Sequence, residues 1–428
     1  MRKRLFLTGA FVCLLVANFA LGQTSGFNSL SSTESETSIT GTSSSASHRF
    51  SSAEVATKLV EAKRLLQSTS FAGEKTASAP VALAAIDPAT SEIQIISIAK
   101  DSFLSNGGVF LLNTQSGKSV RLRIVRPNGV NTAVTVTDTN GHSLLPLLVQ
   151  YPIVRDGSWS ENAYYTSAHP ALVSPEIVAE GQRYLASMFG QATQELQSNG
   201  VAIPADIVAV AKHLVIVEHT DHKRFRDEER ANIYPEVLAL YALNQGDTFR
   251  YSVSSAGAGG MIQMIPRTYA AIREHHPNVT LEPDFVSGMQ NHANALKAML
   301  LYINDTWNYL GQSADVQQAM SSGLATKTEL LAAGYNSNPY RLPNYLANGG
   351  TAWKTLIPAE TQMYLAIYQS VDSNVDFQTT ESVPTTDVGQ ETTNPAAPSI
   401  ARQATTALVS WVGKQVLANA VALTRLVR

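Results

Sequence analysis

The residue that first invites chemistry is Glu218. It closes PADIVAVAKHLVIVEHTD, a segment opening near Pro204 that is apolar on nearly every side, a pattern that predicts a buried helix. At the C-terminal end of such a helix, the neighbours Val215, Ile216 and Val217 and the negative pole of the helix dipole both oppose ionisation, so the pKa of Glu218 should rise. A carboxylic acid still protonated near neutral pH can give its proton to a glycosidic oxygen. A plainer alternative, an exposed glutamate at a helix end, stays open at this level.

A second feature is SSAGAGGMIQMIPRTY, from Ser254 to Tyr269, where glycines run straight into apolar helical spacing. Glycines at a helix entrance let main-chain amides approach a ligand; the competing reading is a tight loop packed on a core. His213, His219, Asp221 and His222 cluster in sequence, but they contain no i, i+4 histidine pair, so neither a metal nor a cofactor is expected. The charged run KRFRDEER, from Lys223 to Arg230, reads as a solvated face and receives no role. Two later segments carry further polar candidates: LLAAGYNSNPYRLPNYL with Tyr335 and Asn336, and IPAETQMY with Glu360 and Tyr364. Core packing and helix capping account for each of these equally well when taken alone.

The elements that must position these residues form two kinds of pattern. Residues 52–67 have helical spacing, and from Ala79 the period changes to two. VRLRIV puts Val120, Leu122 and Ile124 opposite Arg121 and Arg123, TAVTVT alternates likewise, and PNG between them predicts a hairpin. With ALAAI, IQIISIA and VFLLNT this makes a β-rich module with a leading helix over 53–155. Beyond it the pattern is helical: Ser174 and Pro175 open a helix that Gly200 closes, and further helices are expected at 233–243, 266–275, 292–310, 314–320, 327–334 and 361–370. The fold class is therefore α+β in separate modules, a small β-rich domain followed by an all-α domain over 174–370.

The ends and the composition bound the setting. MRKRLFLTGAFVCLLVANFALGQ has the basic start, apolar run and small residues of a signal peptide, assigned to 1–22, so the chain is expected to leave the cytoplasm. Its one cysteine, Cys13, lies inside that run, so no disulfide is expected in the mature form. The formal net charge of −3 becomes −6 once Arg2, Lys3 and Arg4 leave with the leader, which argues against nucleic acid as a partner. Residues 23–52 are dominated by Ser and Thr and read as a disordered tether. A Thr/Pro-rich linker is expected over 371–397, then a basic amphipathic helix over 398–428 that could contact an anionic membrane surface or dock on its own chain.

The order of the segments adds a resemblance. A buried helix ending in IVEH, then SSAGAGGMIQMIP, then AAGYNSNPYRLPNYL, then IPAETQMY resembles the catalytic domain of the lytic transglycosylases of the soluble-lytic-transglycosylase type, related to goose-type lysozyme, over residues 204–370. The resemblance implies a lysozyme-like all-α catalytic domain acting on peptidoglycan glycan strands in the periplasm or cell envelope. It also implies a single glutamate, Glu218, as general acid and then base. Ser254, Gly257, Ala258, Gly260, Met261, Ile262 and Gln263 would line the cleft, with backbone amides and the Gln263 side chain holding the sugar. Tyr335 would sit against the acid, Asn336 would shape the cleft floor, and Glu360 and Tyr364 would brace the wall. The chain departs from the family in reading Met261 and Ile262 where leucine and methionine are usual. It also carries a long insertion from His219 to Val253, and the acid within that insertion, Glu236, is the second choice for the proton donor. Cleavage would leave a 1,6-anhydro-muramic acid product, with the N-acetyl group of the substrate supporting the positive charge in place of a second carboxylate.

Overall fold

The computed structural model describes residues 50–69 and 73–377. The leader, most of the tether, all but the start of the linker, and the C-terminal amphipathic segment lie outside the described residues. Among the described residues no helix is long and apolar enough to cross a membrane.

The architecture is α+β, an N-terminal curled antiparallel sheet followed by a helical region. Helix α1 (Ser52–Gln67) starts on a capping box in which Ser51 and Glu54 satisfy each other's backbone N–H. Then come β1 (Val81–Ile86), β2 (Ile93–Ile98), the single turn α2 (Lys100–Phe103), β3 (Val109–Asn113), β4 (Ser119–Arg126), β5 (Ala133–Asp138), β6 (Ser143–Arg155) and β7 (Ser158–Tyr165). The strand order is β2-β1-β6-β5-β4-β3, with β7 also paired to β6. An isolated bridge between Ile96 and Thr114 ties β2 to the end of β3, so the sheet curls almost onto itself.

The expected β4–β5 hairpin forms, in the register Leu122↔Val136 and Ile124↔Val134. Its alternation is obeyed: Val120, Leu122 and Ile124 are buried inside the curl while Arg121 and Arg123 are exposed. Strand β1 is buried on both faces, with Val81, Leu83 and Ala85 turned into the curl and Ala82 and Ala84 packed towards α1 and the helices. Strand β6 completes the expected module up to residue 155 and β7 extends it further. β6 gives no period-2 signal because, like β1, it is buried on both sides, and Pro146 and Pro152 interrupt its pattern.

The helical region contains α3 (Pro175–Ser198), α4 (Ala205–Val217), α5 (His222–Asp227), α6 (Arg230–Asn244), α7 (Pro266–His275), α8 (Phe285–Gln290), α9 (His292–Leu310), α10 (Ala314–Ser321), α11 (Lys327–Asn336), α12 (Leu342–Gly349), α13 (Trp353–Leu356) and α14 (Ala359–Asn374). Ser174 caps α3 as expected, its side chain accepting from Ile177 N, while Gly200 follows the Asn199 C-cap in the left-handed region at φ +80. Helix α9 runs through the core, its residues Ala295–Leu301 all buried, and α3, α4, α7, α8 and α11 pack around it.

The stretch from His219 to Val253 is no peripheral insertion. Its main helix, α6, packs along α3, contributes Ile233, Tyr234, Val237, Leu238 and Tyr241 to the helical core, and puts Ala239 into the cluster shared with α1 and β1. Asn244 completes the joint: its Oδ1 accepts from Thr166 N at 2.7 Å and its Nδ2 donates to Thr166 O at 2.9 Å. At the other end, the linker expected from residue 371 starts too early, because Val371, Val375 and Phe377 are buried against the helical core. Apolar burial of that size offsets the entropy that the linker composition suggested would win.

Candidate active site

Glu218 is the C-cap of α4, its N–H still bonded to Leu214 O at 2.9 Å. The helix stops there because Asp221 turns extended and caps the next helix, accepting from Arg224 N. The residue keeps an intermediate exposure, while the turn before it is wholly buried. Burial is the main cause that pushes the Glu218 pKa up to about 8; the hydrogen bond from Tyr364 opposes the rise and the charge of Glu360 adds to it. The Tyr364 hydroxyl donates to Glu218 Oε1 at 2.6 Å, so in the neutral acid the proton rides on Oε2.

The other expected segments converge on this carboxyl. Tyr364 comes from α14, where it is buried. Tyr335, on α11, donates its hydroxyl to Ile262 O at 2.7 Å and stacks edge-on against Tyr302. Burial first, and then the negative charge of Glu218, hold the Tyr335 hydroxyl protonated far above its ordinary range. His219, next to the acid, lies flat on Phe249 and donates Nε2–H to Met261 O at 3.0 Å, which ties the end of α4 to the glycine-rich stretch. Burial pushes the His219 pKa down to about 3, so this imidazole is neutral and serves as a cross-link, not as a charge. Sequence reasoning weighed His219 only as a metal ligand and passed over Phe249, which no local signal marks.

Several expectations are corrected. The glycine-rich stretch is not a helix entrance: Gly259 bridges both Val253 and Met264, and α7 begins only at Pro266. Its amides are used within the loop. Gly257 N and Ala258 N bond the carbonyl and hydroxyl oxygens of Ser254, Gly259 N bonds Met264 O, Gly260 N bonds Ser252 O and Gln263 N bonds Gly260 O. Met261 and Ile262 are fully buried and cannot line a cleft with their side chains; they reach the site through their carbonyls. Gly260 is required for packing, since a Cβ there would come within 2.4 Å of Met289 O at φ +69. Gln263 holds a strained φ of +45 and donates its side-chain amide to Gly260 O and Ser252 Oγ. Asn336 Oδ1 accepts from Thr361 Oγ1 at 2.8 Å and joins α11 to α14. Ser254 and Gly257 retain intermediate exposure, and Glu360 is exposed one turn before Tyr364.

Glu236 is engaged elsewhere. Arg224 donates Nη1–H to it at 2.7 Å while its other guanidinium atoms grip Glu228, so KRFRDEER contributes an ion-pair network instead of only a solvated face. The histidines weighed as metal ligands do not converge: His213 packs against Tyr368 and Phe377, His219 faces Met261, and Asp221 caps a helix.

The arrangement predicts its own perturbation. Tyr364→Phe removes the one hydrogen bond from Tyr364 that favours the carboxylate, so the Glu218 pKa moves further above 8, and a carboxyl carbon-13 titration reads the shift. A downward shift would contradict the assigned donor. The site as a whole offers a neutral carboxylic acid held by Tyr364, with Tyr335 and His219 tied to the loop carbonyls of Ile262 and Met261, and such an acid is suited to protonating a leaving group. Searches against family models, curated proteins and solved structures give no match to this chain.

Proposed function

We propose that the protein is a peptidoglycan lytic transglycosylase whose helical region is lysozyme-like and whose general acid is Glu218. The observation that carries the reading is the Glu218 carboxyl itself, held neutral with a pKa of about 8 and hydrogen-bonded by Tyr364. It stands where α4, the 254–264 loop, α11 and α14 meet, the same segments whose order carries the resemblance. Glu218 Oε2–H protonates the glycosidic oxygen between muramic acid and glucosamine, the N-acetyl group supports the developing positive charge, and the resulting carboxylate takes the 6-hydroxyl proton as that oxygen closes on C1. The substrate class implies an extracytoplasmic setting, which agrees with the signal-like start of the chain.

The test is mass spectrometry of products from purified peptidoglycan incubated with the wild type and with Glu218→Gln and Glu236→Gln. Anhydro-muropeptides are expected from the wild type and from Glu236→Gln. The latter loses only one arm of a half-buried ion pair and about 1 kcal/mol of stability, measured by urea unfolding. Products lost with Glu236→Gln alone would move the acid; no soluble products from any form would remove the enzyme reading and leave a glycan-binding protein.

One observation favours a second reading. The negative charge of Glu360 adds to the rise of the Glu218 pKa, and a hydrolytic lysozyme would use such a second carboxylate to activate water. Glu360→Gln decides between them: a transglycosylase keeps its rate and its anhydro products, whereas a hydrolase yields reducing ends in the wild type and loses its rate at least about 100-fold in the variant.

A further inference from the structure

On the side of the helical region where α7 meets α9, two adjacent imidazoles face one carboxylate. His275 Nδ1 and His276 Nε2 each lie 2.8 Å from the same oxygen, Asp305 Oδ2. The three potential ligand atoms fall within 4.8 Å of one another. His275 is the last residue of α7 and His276 its C-cap, while Asp305 projects from the core helix α9. Their side chains are 13%, 15% and 10% exposed, enclosed but open to a small ion.

We propose that His275, His276 and Asp305 form a binding site for a divalent cation of the zinc class. The donor set, two neutral nitrogens and one carboxylate oxygen, matches the borderline preference of zinc and leaves a further position for water. A tetrahedral zinc separates its ligand atoms by roughly 3.4 Å, so the two nitrogen–oxygen distances open by about 0.6 Å and the nitrogens draw together, movements of rotamer size. The cation takes the place of the N–H···O bonds that now hold the cluster. A neutral imidazole moves its proton to its other nitrogen, and an imidazolium releases one to solvent, so charge and protons balance. The setting favours positive charge already: both histidines aim a ring nitrogen at the same carboxylate oxygen of Asp305. Two imidazolium rings with centroids 4.6 Å apart would repel, whereas one cation between them neutralises the carboxylate without that cost. The ion would clip the C-terminal end of α7 to α9, at the far end of the helix that follows the 254–264 loop.

The test is titration of the purified full chain with Zn²⁺ alone, read by calorimetry and by thermal unfolding, with His275→Asn and His276→Gln as variants that keep an N–H donor towards Asp305. One equivalent is expected to bind the wild type at micromolar or lower concentration and to raise its Tm. In either variant, affinity should fall by more than about 100-fold, the upper end of what even an outer-shell partner is worth, and the Tm should no longer respond. No binding at micromolar Zn²⁺, or undiminished binding in both variants, overturns the site. If neither variant folds, Co²⁺ added to the wild type decides by paramagnetic broadening. Loss of the resonances of residues 272–276 and of Asp305 supports the site, and broadening centred elsewhere overturns it.

Discussion

Glu218→Gln is expected to abolish release of anhydro-muropeptides while making the protein more stable at neutral and alkaline pH. Under the proposed function the catalytic loss follows from removing the proton donor, worth about 10²–10⁴-fold in rate. The stability gain follows from linkage. The Glu218 pKa is about 8 in the folded chain against 4.5 for an ordinary glutamate, so the folded state holds the proton more tightly. The resulting stabilisation is complete below pH 4.5 and is lost as pH rises through 8. Glutamine never ionises and keeps an oxygen to accept from Tyr364, so it escapes that loss. At about 1.4 kcal/mol per pH unit the variant gains on the order of 3 kcal/mol over the wild type at pH 7, and more at pH 8. Urea unfolding at pH 4.5, 7 and 8.5 measures it, and parallel curves for the two proteins would show that the carboxyl is not held neutral. A stable, inactive variant is the signature of a residue whose strain serves chemistry.

Gly181→Ala is expected to destabilise the fold by about 2 kcal/mol or more. Helix α3 passes α6 so closely that a Cβ on Gly181 would stand 1.9 Å from Leu238 O, a main-chain atom that cannot move without its helix. Alanine recovers about 1 kcal/mol of helix propensity, but overpacking against backbone costs 1–3 kcal/mol or more, and the second effect wins. The loss reaches the site because α6 also holds Tyr241 edge-on against Phe249, the ring on which His219 lies, and seals the joint to the sheet. Gly190→Ala, on the same helix with nothing within 4 Å of its Cβ position, is the control and should gain up to about 1 kcal/mol. Equal responses at the two glycines would contradict the close crossing.

Much of the framework was legible from periodicity and capping, because those signals are local. The bounds of α1, α7 and α9 follow from apolar spacing and polar or proline starts, and the β4–β5 hairpin follows from alternation around a turn. Burial of the helix ahead of Glu218, and hence the direction of its pKa shift, was contained in PADIVAVAKHLVIVEH, since a helix apolar on all sides has nowhere else to go.

What only the tertiary structure decided is where long-range partners fall. Nothing local says that Tyr364 meets Glu218 across 146 residues, that Arg224 claims Glu236, or that His219 stacks on Phe249. Nor could sequence tell which atoms of the glycine-rich stretch face the site. Its amides fold the loop on itself while the carbonyls of Met261 and Ile262 reach outward to His219 and Tyr335, because buried N–H groups must find partners and the nearest ones lie within the loop. Sequence thus determined the main helices and the burial of the helix ahead of Glu218, through local pattern; the fold determined which residues would touch, because contact between distant segments depends on how whole elements pack.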